Sequence, residues 1–146
     1  MIINEIDIQQ LLNDFVFEQR QLLQNDASEQ AIAHQLAIKF SQSFPDWDTD
    51  CEYNRSMDVV KSLNYAISPT EECCKHNVVP DIIIHRRMTN DNLLAIEIKK
   101  STNREGNFKD LSKLTAFREQ LGYQHSLFIR FITEKNDAGI IELDWQ

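Results

Sequence analysis

With 146 residues, 42% of them hydrophobic and 26% charged, the chain has material for one hydrophobic core and not for two. No apolar run approaches the roughly 20 residues of a membrane helix. The net charge of −8 argues against a broad phosphate-binding surface.

The charge is unevenly placed. Residues 1–80 hold 13 acidic and 5 basic side chains, whereas residues 81–146 hold 10 of each. Between Arg86 and Arg118 eight basic residues face four acidic ones, a local +4. On charge alone this is a solvated face. Cys51, Cys73 and Cys74 are an odd set with two neighbours adjacent, a poor disulfide framework that fits a reducing cytoplasm. The acidic start MIINEIDIQQ lacks the layout of a signal peptide, so a cytoplasmic location is expected.

Periodicity predicts a helix over residues 7–23, with Ile8, Leu11, Leu12, Phe15 and Leu22 on one face. A second helix is predicted over 28–43, with Asp26 and Glu29 at capping-box spacing and Ile32, Leu36 and Phe40 inward. Residues 51–55 read as a short strand. Residues 56–77 are ambiguous: MDVVKSLNYAI has helical character and SPTEECCKHN reads as a loop. VVPDIIIH (78–85) and LLAIEIK (93–99) then read as two strands of a hairpin around the polar turn RRMTNDN. A helix over 110–121 stops at Gly122, and strands are expected over 126–133 and 140–145. The order is that of an α/β domain, a mixed sheet flanked by helices.

Two carboxylates and a lysine stand out. Alternation in a strand puts Glu97 and Lys99 on one face, and Asp81 is within reach on the partner strand. Charges inside so apolar a run are costly unless they meet solvent, a partner or a metal. Pro80-Asp81, then fifteen residues, then Glu97-Ile98-Lys99 resembles the signature of the PD-(D/E)xK nuclease superfamily. The longer string CEYNR, VVPDIIIHRR and NLLAIEIKKS also resembles a group of small bacterial proteins.

The resemblance implies a restriction-endonuclease-like core of helix, three strands, helix and strand over residues 28–133. The whole chain would be one domain, with residues 1–25 a helical addition and 56–77 an insertion. It implies a metal-dependent nuclease acting on DNA, with Mg²⁺ as cofactor and Mn²⁺ as substitute. Asp81, Glu97 and the Ile98 backbone carbonyl would bind metal, and Lys99 would orient the attacking water and stabilise the transition state. Glu29 is either a further metal-site carboxylate or a helix cap. Glu52, Asn54 and Arg55 on the first core strand are candidates to support the site or to pair structurally. Lys100, Arg104, Lys109 and Lys113, with Arg86 and Arg87 in the hairpin turn, are candidates for phosphate contacts, Lys109 and Lys113 sharing one helix face.

A homodimer or larger complex would suit a nuclease that cuts both strands. The alternative is a catalytically weak or inactive module of the same fold that binds nucleic acid or a partner protein. A zinc site from Cys73, Cys74, His76, Cys51 or His85 is not expected, because no C-x-x-C pair exists. His34 reads as a packing or surface residue.

Overall fold

In the computed structural model, which describes residues 1–51, 55–56, 59–60, 62–70, 72–77 and 80–146, the apolar runs of the second half form the centre of the sheet. The chain opens with a small hairpin, β1 (Ile2–Ile3) and β2 (Ile6–Asp7), where the sequence pattern suggested no strand. The Asp7 carboxylate accepts from the Gln9 and Gln10 amides and starts α1 (Ile8–Glu18). The predicted first helix is in fact two, because the chain breaks at Gln19 before α2 (Arg20–Gln24).

α3 (Glu29–Ser43) is capped by Ser28, whose hydroxyl accepts from the Ala31 amide, and not by Asp26. Asp26 lies at φ 51° and turns its carboxylate to Thr102, Thr133 and Lys100 instead. β3 (Asp48–Cys51) follows. In the segment read as part helix, β4 (Arg55–Ser56) pairs with β5 (Val59–Val60), and β6 (Ser62–Tyr65) pairs with β7 (Cys74–Asn77). Among the described residues of MDVVKSLNYAI (57–67), the helical reading is therefore replaced by short strands. Leu63 and Tyr65 are buried, which a two-stranded ribbon can achieve only by lying on another element.

β8 (Ile82–His85) and β9 (Asn92–Lys100) form the predicted antiparallel hairpin. α4 (Phe108–Leu121) crosses over to β10 (His125–Glu134), which runs parallel to β9, and β11 (Asp137–Trp145) returns antiparallel beside it. The sheet order is β11-β10-β9-β8-β3, five strands with one parallel pair, which makes the domain α/β with a mixed sheet. Gly122 ends α4 at φ 70°, a left-handed cap that glycine adopts without steric cost.

Alternation sorts the sheet into two faces. Ile82, Ile84, Leu94, Ile96, Ile98, Leu127, Ile129 and Phe131 pack with the helices α1 to α3. Ile83, Ala95 and Phe128 pack under α4 with Leu114, Phe117, Tyr123, Leu63 and Tyr65. β9 is thus covered on both sides, which explains its unbroken burial from Asn92 to Lys99. Among the described residues no helix is long and apolar enough to cross a membrane.

Candidate active site

Glu97 and Lys99 share the face of β9 that carries Ala95, and that face lies beneath α4. β8 pairs Ile82 with Ile96 and Ile83 with Ala95, so continuing the register sets Asp81 across from Glu97. Asp81 lies in the bend before β8, and its Oδ2 accepts the Ile98 N–H at 2.7 Å. In an extended residue N–H and C=O leave the strand on one edge, so the Ile98 carbonyl opens on the Asp81 side.

Glu97 is buried, Asp81 is partly exposed, and the two carboxyls interact. Glu97 is only 3% exposed. Burial first, and the neighbouring Asp81 charge second, push its carboxyl well above the ordinary 4.5. Burial also raises Asp81, against the Ile98 amide, the Lys113 charge and the adjacent Glu97 carboxyl, and the nearby Glu29 charge raises it further. Lys113 Nζ stands 2.6 Å from Glu97 Oε1. That oxygen nevertheless finds no aligned hydrogen-bond donor among the described residues, so the contact is one of charge more than of directed bonding. Burial lowers the Lys113 ammonium, but Glu97, Asp81 and Tyr65 outweigh it and hold the group above its usual range.

Lys99 does not reach back to Glu97. Its Nζ bonds the Asp110 carboxylate at 2.5 Å and the Gly106 carbonyl at 3.1 Å. It lines an open groove of about 380 Å³ with Ile67, Ser68, Pro69, Glu105, Phe108 and Lys109. A roomier cavity of about 500 Å³ between α3 and β3 is remote in sequence from the Asp81 and Glu97 strand ends and includes His34, Asp50 and Cys51. The groove beside Lys99 is lined by neither Asp81 nor Glu97.

The other candidates separate. Glu29, at the first turn of α3, accepts from Asn103 Nδ2 at 3.0 Å, which ties that helix end to the loop after β9. Arg104 and Lys109 are exposed on the loop and at the start of α4. Lys100 pairs with Asp26 at 3.1 Å. Lys113 and Lys109 do not present one outward face, since Lys113 turns in to Glu97 while Lys109 stays out. Glu52 and Asn54 lie outside the described residues, and only the backbone of Arg55 is described, in β4.

Arg86 and Arg87 follow the far end of β8 from Asp81, a four-residue strand away. Arg86 sits over the Trp47 ring and pairs with Asp91. Arg87 is bidentate to Asp50 at 2.8 and 2.5 Å, and His85 Nε2 lies 2.7 Å from the same carboxylate. Burial raises the Asp50 carboxyl, yet the hydrogen bonds from Arg87 and His85 outweigh it and hold it below the ordinary 3.8. A carboxyl depressed on folding contributes stability above its unfolded pKa and loses it as the pH falls through the folded value. Asp50→Asn should therefore flatten the decline of urea midpoint between pH 4 and the acid limit, approximate bounds set by the ordinary carboxylate range. An unchanged acid limb would show that Asp50 contributes nothing there.

Lys113 and Asp110 are the functional candidates whose partners the sequence pattern did not reveal. The available signal was that Lys113 lies four residues before Phe117 on the inward stripe of α4, where an exposed lysine does not belong. Among the described residues no group of three or more His, Cys, Asp or Glu is gathered closely enough to hold a metal by side chains alone. No family model, curated protein or solved structure matches the chain.

Proposed function

We propose that this chain is a metal-dependent phosphodiesterase acting on DNA, a PD-(D/E)xK nuclease on a restriction-endonuclease-like core. The observation that carries this reading is the Asp81–Glu97 pair, a buried glutamate on β9 whose carboxyl the neighbouring Asp81 charge raises, with Asp81 in the bend before β8 bonded to the Ile98 amide. Stability alone does not account for such a pair, because apolar side chains of similar size are as stable or more so at such places. The succession α3, β3, β8, β9, α4, β10 agrees with the helix, three strands, helix and strand of that core, with β4 to β7 inserted.

Asp81, Glu97 and the Ile98 carbonyl are the oxygens that would hold Mg²⁺ or Mn²⁺, and oxygen donors are what hard cations select. The buried Glu97 Oε1 without an aligned donor fits that role. A bound ion supplies a water of lowered pKa and neutralises charge gathering on a phosphate. The side chains do the rest. Lys99, held at the groove rim by Asp110 and the Gly106 carbonyl, would orient that water and stabilise the pentavalent phosphate. Exposed Arg104 and Lys109 would meet the phosphate backbone as it enters the groove.

One observation favours a second reading. Glu97 is already paired with Lys113, and the site lysine Lys99 with Asp110, as expected of a module that binds a nucleic acid or a protein without turnover.

Plasmid and oligonucleotide cleavage with Mg²⁺ or Mn²⁺ decides between them. The expected result is cleavage that requires metal and disappears in Glu97→Ala and Lys99→Ala. Cleavage surviving both substitutions would sink the nuclease reading at this site. Metal binding without cleavage of any substrate would select the second.

A further inference from the structure

The ion pairs between β9 and α4 are crossed. Glu97 of the strand meets Lys113 of the helix at 2.6 Å, and Lys99 of the strand meets Asp110 of the helix at 2.5 Å. The two lysines are not equivalent. Lys99 has two oxygen partners, the Asp110 carboxylate and the Gly106 carbonyl, and borders the open groove. Lys113 has one close partner, Glu97, at an angle poor for hydrogen bonding, with its side chain 12% exposed. Such an ammonium is held by charge and gives up little directed bonding when it leaves.

Its neighbours explain why it is there. A buried carboxylate with a second carboxyl beside it calls for a compensating cation, because uncompensated burial of such charge is costly. Lys113 is the cation in ion-pair contact with Glu97 among the described residues, and it also bears electrostatically on Asp81. Its ammonium is thus in ion-pair contact with one of the two carboxyls and within electrostatic reach of the other, so a divalent ion bound to both would compete with it for Glu97. A lysine's flexible four-carbon stem lets it withdraw without unwinding its helix.

We propose that Lys113 is the resident cation of the Asp81–Glu97 pair and that a divalent ion can occupy the pair only by displacing its ammonium. The inference rests on the reading of that pair as a metal site. It follows that metal affinity is weaker than two carboxyls and a carbonyl alone would give. It also follows that metal stabilises the wild-type fold little, since one cation replaces another.

The experiment is Mn²⁺ titration by calorimetry with thermal melts of the same samples, on the full chain and on Lys113→Met, Lys99→Met and Asp81→Asn. Lys113→Met should bind Mn²⁺ about 5–150-fold more tightly than wild type, the size of an ordinary coupling between linked binding events. Its melting temperature should rise more on adding Mn²⁺ than that of the wild type. Lys99→Met should keep the wild-type affinity, and Asp81→Asn should lose it. Wild-type binding that Asp81→Asn abolishes but Lys113→Met does not tighten would overturn the displacement alone. No Mn²⁺ binding by wild type and Lys113→Met, or full binding by Asp81→Asn, would overturn the metal site and the displacement with it. Should the methionine variant fail to fold, Lys113→Gln keeps a polar head against Glu97 without the charge, and the same outcomes apply to it.

Discussion

Asp81→Asn is expected to abolish cleavage while making the protein more stable. Asparagine has the shape of aspartate, and its side-chain oxygen can still accept the Ile98 N–H that Asp81 accepts at 2.7 Å. What it removes is a charge that burial disfavours and that pushes the Glu97 carboxyl upward. Relieving both should raise stability by about 1 kcal/mol, a common gain when a strained functional site is neutralised. Activity should move the other way. A bound metal ion supplies several kcal/mol of transition-state charge stabilisation, so a variant that no longer holds it should lose, at 1.36 kcal/mol per decade, on the order of a thousandfold. Urea unfolding in the presence of a chelator and plasmid cleavage on the same preparation measure the two effects. A variant that is both less stable and fully active would show that Asp81 is a structural residue and that the site lies elsewhere.

Phe117→Ala should have the largest effect on stability, about 3–5 kcal/mol, the range for truncating a fully buried phenylalanine. The ring is inaccessible to solvent and meets Tyr123 edge-to-face at 5.4 Å. With Leu114 it fixes α4 to Ile83, Ala95 and Phe128 of the sheet. That same helix holds Lys113 against Glu97 and Asp110 against Lys99. Loosening it should therefore cost cleavage as well as stability, even though no atom of Phe117 enters the site. Equilibrium urea denaturation checks the first effect, and a loss below about 1 kcal/mol would mean that α4 collapses onto the cavity or is held chiefly by its ion pairs.

The parts of the fold written in local pattern were legible in the sequence. Stripes of apolar residues announced α3 and α4, and the β-branched runs with the polar turn between them announced β8 and β9. The Asp81–Glu97 pairing followed from that hairpin. What escaped depends on contacts distant in the chain. Asp26 looked like a helix cap, but its carboxylate is taken by Thr102 and Thr133, 76 and 107 residues away, and Ser28 takes the cap. The ribbon of β6 and β7 looked partly helical because its stability comes from lying on α4, where Gln120 brackets the Asn64 backbone with bonds of 3.0 and 2.7 Å. Lys113 was grouped with Lys109 by helical spacing, which says which residues share a face but not where that face ends.

The order of the elements has a kinetic consequence. Asp81 and Glu97 belong to one hairpin, whose strands can meet within microseconds of local search. Lys99 arrives with β9 but turns to Asp110, and the lysine that answers for Glu97, Lys113, arrives only with α4. While the hairpin stands alone its α4-side face is open to water, so its two carboxyls remain hydrated and cheap. Docking of α4 strips that water and delivers the Lys113 ammonium in the same event. The chain therefore need not cross a state in which Glu97 is dry and unanswered.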